Sequence, residues 1–402
     1  MDRVILHSDL NNFYASVECM LHPELKERCI AVCGSKENRH GIVLAKNEKA
    51  KKFGVKTAET IWQAKAKCPS LEIVSPHFEE YRKYSRMVRE IYGEYTDLIE
   101  PFGLDECWLD VTGSRMLFGD GVTIANEIRN RVREEIGLTV SVGVSFNKVF
   151  AKLGSDLKKP DAVTEISRDN FRSKIWHLPA DSIIGVGGST YSRLTELGIK
   201  TIGDIAQAPC DFFETRFGKH GVALWQYANG LDTSEVAHKD YRSPAKSIGH
   251  GITLKTDLEN NEEVWKVIYH LSRQTEKSLR DEDILTDRCA LSIKKADLSV
   301  KEHQVTFDYP THSAYDIAKH LFALFKSRYI WDMNVRALTV RAVRLVSDDE
   351  IQMSFFQSEK ENEKREKMEN TAYELENRFG TGAVTFGSLM LNDKLPDNNI
   401  EE

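Results

Sequence analysis

What the sequence lacks narrows it first. No continuous apolar run near the N-terminus is long enough for a secretory leader or a membrane span, so the expected address is the cytoplasm, with no membrane partner. No CxxC pair occurs among the seven cysteines; Cys29 and Cys33 come closest, and no matching His or Cys pair accompanies them. The thiols therefore read as reduced core residues. Overall positive charge is missing too, the formal net charge being −7. That total misleads: residues 346–402 hold 14 acidic and 6 basic side chains, a net of −8, which leaves residues 1–345 at +1. A near-neutral body can still present local basic faces, and those faces set affinity for phosphate.

Two stretches organise what is present. Val4-Ile-Leu-His-Ser-Asp9 is a short apolar strand that runs out at a carboxylate, and Phe102-Gly-Leu-Asp105-Glu106-Cys-Trp-Leu-Asp110 reads as a β-hairpin with Asp105 and Glu106 at its turn. Acidic turns are usually just solvated. If the two strands are neighbours, however, three carboxylates meet at one sheet end, a charge density that cations must balance. Hard oxygen ligands suit Mg²⁺, with Mn²⁺ as a substitute, and the pattern points to a two-metal phosphoryl-transfer site. After Asp9, Asn11-Asn12 can cap a helix whose first turn carries Phe13 and Tyr14 close to the metal position. By default such aromatics are core; the functional alternative lays Tyr14 beneath a sugar ring, where it would exclude a 2′-hydroxyl.

The run Asp9-Leu10-Asn11-Asn12-Phe13-Tyr14-Ala-Ser-Val-Glu18, then Gly103-Leu104-Asp105-Glu106, then Ser141-Val-Gly-Val-Ser-Phe-Asn147-Lys148 through Lys152 to Lys159-Pro160, resembles the Y-family translesion DNA polymerases in order and spacing. The resemblance extends over most of the chain. It implies an α+β right-hand architecture and a DNA-directed DNA polymerase performing low-fidelity translesion synthesis from dNTP on primer-template DNA, without proofreading. It makes Asp9, Asp105 and Glu106 the catalytic metal carboxylates, the Leu10 carbonyl a further metal ligand and Tyr14 the steric gate against ribonucleotides. Phe13, Tyr14, Lys51 and Lys159 would line the nucleotide. In the family's fingers an aromatic followed by a basic residue commonly holds the triphosphate; here Glu48 stands in the aromatic's place, so Lys51 is carried over, with Lys46 a weaker candidate.

The length, 402 residues, suggests about three domains, and the resemblance implies the following division. Residues 1–19 and 78–166 form the palm, with helices over His77–Leu98 and Ile124–Ile136 and a strand at Thr139–Val144 expected beside the Asp105 hairpin. Residues 20–77 form small fingers. Residues 167–235 form a helical thumb whose Gly185-Val-Gly187 segment resembles a helix-hairpin-helix, although any tight turn can use such glycines. A linker, 236–245, leads to a βαββαβ little finger at 246–346, where Lys246, Ser247, Lys294 and Arg341 are candidate phosphate contacts and solvated side chains are the alternative. In the tail, 347–402, Gln352-Met-Ser-Phe355-Phe356 either packs back on the little finger or serves as the short peptide that docks on the sliding clamp, which it resembles. The expected protein is monomeric. Domain order and the clamp-like peptide resemble the bacterial DNA polymerase IV type, whereas Asp-Leu-Asn-Asn-Phe-Tyr and Asn47-Glu-Lys-Ala50-Lys51 resemble the polymerase V catalytic subunit. Two other classes compete: a non-catalytic DNA-binding repair scaffold that retains the fold, and a palm-type cyclase or transferase acting on free nucleotides. Magnesium-dependent and template-dependent extension discriminate them.

Overall fold

The computed structural model describes residues 2–34, 41–347, 359–380 and 382–384. The described chain divides into two compact units, the first ending at Tyr241 and the second beginning at Arg242. The clamp-like residues Gln352, Phe355 and Phe356 lie outside the described residues.

In chain order, the first unit comprises β1 (Ile5–Leu10), α1 (Phe13–Leu21), β2 (Ile30–Cys33), β3 (Val43–Lys46), α2 (Glu48–Lys52), α3 (Ile61–Lys67), β4 (Glu72–Val74), α4 (Phe78–Gly93), β5 (Ile99–Phe102), β6 (Glu106–Asp110), α5 (Arg115–Phe118), α6 (Gly121–Arg131), β7 (Val140–Ser145), α7 (Lys148–Leu157) and β8 (Val163–Ile166). Four helices follow: α8 (Phe171–Ile175), α9 (Gly188–Glu196), α10 (Ile202–Gln207) and α11 (Cys210–Ala228), the last broken at Gly218. The main sheet runs β5-β6-β1-β7-β8, so β1 is central and every one of its six residues is buried. A central strand is covered on both faces, so His7, Ser8 and Asp9 are buried along with Ile5, Leu6 and Leu10. The Thr139–Val144 strand, expected beside the Asp105 hairpin, pairs instead with β1 on one side and β8 on the other. Its complete burial from Val140 to Ser145, with small Ser and Gly alternating with Val, suits a strand inside the sheet.

The long helix expected from His77 ends at Gly93, and Tyr81, Val88 and Ile91 face the core as their three-to-four spacing requires. Gly143 fixes the placement of α7: a Cβ there would fall 1.8 Å from the Ala151 carbonyl oxygen, so α7 lies on β7 with backbone against backbone. Residues 20–77 hold a small sheet of their own, β3-β2-β4. All seven cysteines are free thiols.

The second unit contains β9 (Ile248–Leu258), α12 (Asn261–Asp281), β10 (Ile284–Lys295), β11 (Val300–Thr311), α13 (Ala314–Arg328), β12 (Val335–Ser347) and α14 (Glu359–Phe379). Its sheet order is β11-β10-β12-β9, entirely antiparallel. Leu338, Val340 and Ala342 on β12, with Leu291 and Ile293 on β10, pack in one core with α12 and α13. The alternate positions Thr339 and Arg341 therefore share the opposite face. Strand β11 is an edge strand, and most of its residues are exposed or half-buried. No described helix is long and apolar enough to cross a membrane.

Candidate active site

The site is built where β1 runs out between its two neighbours. Antiparallel pairing sets Asp9 directly opposite Glu106 on β6 and opposite Ser141 on β7. Asp105 ends the turn that joins β5 to β6, and its carbonyl accepts the Leu10 N–H at 3.0 Å. Gly103 enables that turn, with φ of 81°, a conformation glycine adopts without steric cost. Helix α4 clamps it from outside: the Ser85 hydroxyl donates to the Leu104 carbonyl, and Arg89 donates to the Gly103 carbonyl at 3.0 Å. Backbone pairing and side-chain bonds together thus hold three carboxylates at one sheet end.

These acids border a cleft of about 470 Å³. Asp9, Leu10, Asn11, Asn12, Phe13, Tyr14, Asp105, Glu106 and Lys159 form one side, and Lys46, Glu48, Lys51 and Thr57, from β3, α2 and the segment after α2, form the other. Lys159 sits 2.6 Å from Asp9 and 2.8 Å from Asp156. Lys152 forms an ion pair with Glu106, whose other neighbour is His7 Nε2 at 3.0 Å. Among the described residues, no group of three His, Cys, Asp or Glu side chains is arranged to hold one ion. The donor chemistry nevertheless fits a hard divalent cation: the acids are carboxylates without a thiol among them, and lysines now supply the balancing charge.

Burial pushes the carboxyls of Asp9 and Asp105 above the ordinary aspartate range; Lys159 opposes this at Asp9, while the Asp9 charge adds to it at Asp105. Glu106 differs. Burial disfavours its charge, but His7 and Lys152 outweigh that and hold its carboxyl at about 2. Burial lowers the pKa of His7, whose Nδ1 lies 2.9 Å from the Ser155 hydroxyl. Lys159 is raised: burial works against its charge, and Asp9 and Asp156 overcome it.

Tyr14 borders the cleft with its ring stacked on Tyr81, centroids 4.2 Å apart and planes 9° from parallel. Tyr81 is anchored by donating its hydroxyl to the buried Glu18, so the residue closing the Asp9 segment orients the ring beneath Tyr14. Phe13 is almost wholly buried and lines the cleft. The expected Asn cap is different in kind: Asn12 is the N-cap of α1, yet its φ is 50° and its side chain makes no cap bond, donating instead to Glu48 at 3.0 Å. Lys51 lies on α2, 3.4 Å from Glu48, and Lys46 donates to the Thr57 hydroxyl at 2.8 Å.

Four contributors escaped the sequence reading of the site: His7, Asn11, Asn12 and Lys152. His7 was accessible in principle, because strand alternation puts it on the same face as Asp9. Asn11 ties three segments together, donating to the Ser141 hydroxyl at 2.9 Å and accepting from the Asp161 N–H at 2.8 Å. Nothing in its neighbours announces those distant partners. Lys152 meets Glu106 only because Gly143 lets α7 approach.

The remaining candidates lie elsewhere. Gly185, with φ of 95°, and Gly187, the N-cap of α9, border the turn before that helix. Lys246 and Ser247 are exposed just before β9. Lys294 and Arg341 share the face of the second unit's sheet turned from its helices, where Arg341 donates to Glu302 at 2.7 Å.

Comparison with known proteins agrees along the chain. The impB/mucB/samB family matches residues 8–156, its C-terminal domain matches 245–355, and the thumb domain described for DNA polymerase-iota matches 181–232. A DNA polymerase IV of Acetivibrio thermocellus is 50% identical over 97% of this chain and 98% of its own length. A DNA polymerase IV 2 of Bacillus subtilis is 35% identical over 95% and 93%. Among solved structures, a Y-family DNA polymerase chimera superposes with a TM-score of 0.76 at 25% identity, covering 86% of this chain and all of its own. The polymerase V leaning of the first motif has no counterpart in these relatives' names. The chain belongs to the impB/mucB/samB family of Y-family DNA polymerases, and it is a translesion DNA-directed DNA polymerase.

Proposed function

We propose that the cleft is the nucleotidyl-transfer site, in which Asp9, Asp105 and Glu106, with the Leu10 carbonyl, hold two Mg²⁺ ions for which Mn²⁺ can substitute. The observation that carries this reading is the meeting of carboxylates from β1 and from the β5–β6 turn on one open cleft with lysines along its sides. When bound, the ions supply the charge neutralisation needed for a primer 3′-hydroxyl to displace pyrophosphate from a dNTP. The chain's own residues do the rest. His7 and Lys152 keep Glu106 ionised and therefore ready as a ligand. Lys159 and Lys51 offer positive charge to the triphosphate, Lys159 from the acid side and Lys51 from the fingers. Tyr14, backed by Tyr81, fills the space a 2′-hydroxyl would need. Extension of a primed template with each dNTP tests the assignment: the wild type extends in a template-directed manner and Asp105→Ala does not. Extension by Asp105→Ala at the wild-type rate would remove the cleft from the chemistry.

The same reading takes residues 1–19 and 78–166 as palm, 20–77 as fingers, 167–235 as thumb and 246–346 as little finger. Primer-template DNA is the partner. Gly185 and Gly187 would present backbone to its phosphates, and Lys246, Ser247, Lys294 and Arg341 would contact phosphates without reading sequence. Gln352, Phe355 and Phe356 are proposed to dock on the sliding clamp. With both phenylalanines replaced by alanine, distributive extension persists and stimulation by clamp is lost; equal stimulation of both proteins would refute that role.

A further inference from the structure

An acidic side chain stands on the basic wall of the cleft. Glu48 Oε1 accepts from Asn12 Nδ2 at 3.0 Å, and Lys51 Nζ approaches the same oxygen at 3.4 Å. One oxygen thus draws a donor from the palm helix α1 and another from the fingers helix α2, inside the cleft proposed to bind dNTP. Asn12 adopts the left-handed region, φ 50° and ψ 38°, which asparagine enters more readily than other non-glycine residues. That conformation accompanies an amide turned towards the cleft in place of a bond to its own helix. A second cation stands close by: Lys46 has its pKa lowered by burial and by the charge of Lys51. Two lysines and a converging amide on one wall of the cleft are better satisfied by an anion richer in charge than one carboxylate.

From this we propose that the Asn12 amide and the Lys51 ammonium form a subsite for a phosphate oxygen of the incoming dNTP, and that Glu48 is an exchangeable stand-in for that oxygen. The inference rests on the reading of the cleft as a dNTP site. A carboxylate oxygen and a phosphate oxygen ask the same of their surroundings, since both are anionic and accept hydrogen bonds without donating. Glu48 is about 40% exposed, so it can swing into solvent when phosphate arrives. Its presence makes nucleotide binding weaker than the donors alone would allow.

The test is steady-state primer extension with the full chain, varying dNTP. Glu48→Ala lowers KM about three- to fivefold, the scale of one exposed ion pair. Asn12→Gly, chosen because glycine keeps the left-handed backbone while losing the amide, raises KM about tenfold, the scale of a charge-assisted hydrogen bond. Both changes fall on KM rather than kcat, and the gain from Glu48→Ala shrinks in the Asn12→Gly background. Glu48→Gln, which keeps an acceptor for Asn12 without the charge, falls between wild type and Glu48→Ala. A rise in KM on Glu48→Ala together with a lower melting temperature would make Glu48 a structural tie between helices and overturn the proposal. An unchanged KM on Asn12→Gly would overturn it as well. Failure of the wild type to extend a primer at all would instead overturn the assignment of the cleft, so the two failures are distinguishable.

Discussion

Two clusters of acids, one in each unit, differ in purpose. In the first unit, Asp9, Asp105 and Glu106 border a cleft of about 470 Å³, with Lys159 paired to Asp9 and Lys152 to Glu106. In the second, Glu276 on α12 and Glu369 on α14 are each less than a tenth exposed, and the pocket beside them holds about 20 Å³, room for roughly one water. Arg280 bonds Glu276 at 2.9 Å and Asn370 at 2.6 Å. Arg273 bonds Glu376 at 2.9 Å, and the Ser313 hydroxyl donates to Glu369 at 2.9 Å. The second cluster is a sealed fastening that holds α14 against α12 and α13. The first is left open, with lysines that a ligand can displace. Acid density alone does not mark a site; open volume beside it does.

That contrast can be broken in four ways. The largest effect belongs to the open cluster: Asp105→Ala lowers the extension rate by about 10³-fold or more while the melting temperature stays near wild type, because the residue serves transition-state charge rather than packing. The sealed cluster inverts this. Arg280→Ala leaves buried carboxylates without their cation and destabilises the second unit by about 3–5 kcal/mol, seen as an earlier thermal transition of the full chain. Tyr14→Ala comes next, raising ribonucleotide incorporation by about a hundredfold relative to deoxyribonucleotide, measured by competition on one template. If no gain appeared, the placement of the ring beneath the sugar would be wrong.

The smallest effect is a pH dependence. Burial, with the nearby charge of Glu369, pushes the Glu276 carboxyl up to about 7. A carboxyl whose folded pKa lies above its unfolded value favours folding when protonated, so its contribution is complete below the ordinary glutamate range and is lost as pH rises through about 7. The thermal transition of the second unit therefore falls between pH 5 and pH 8. Glu276→Gln, which is neutral throughout, flattens the fall; a wild-type transition independent of pH across that window would contradict the cause assigned here.

The carboxylates and the tyrosine were readable because each sits in a local pattern: a strand ending in Asp9, a hairpin turn at Asp105 and Glu106, and a helix opening at Phe13 and Tyr14. Most of the elements were readable for the same reason, including the order of strands and helices in the second unit. What escaped was pairing across long separations. Lys159 and Asp9 are 150 residues apart, as are Asn11 and Asp161. The strand at Val140–Ser145 was recognised as a strand but assigned the wrong neighbour, since apolar content shows that a strand is buried and not beside which other one. Asn12 was read as an ordinary cap because its residue type favours capping, and only its approach to Glu48 shows the amide turned elsewhere.

The sequence by itself therefore determined which side chains are available, on which faces of which elements, and to which family they belong, because periodicity and short motifs are local properties of a chain. Tertiary structure decided which charges face one another: β1 lies between β6 and β7, Gly143 admits α7, and α2 reaches across to Asn12. Electrostatic energy depends on distance and burial, and neither exists until distant segments have packed.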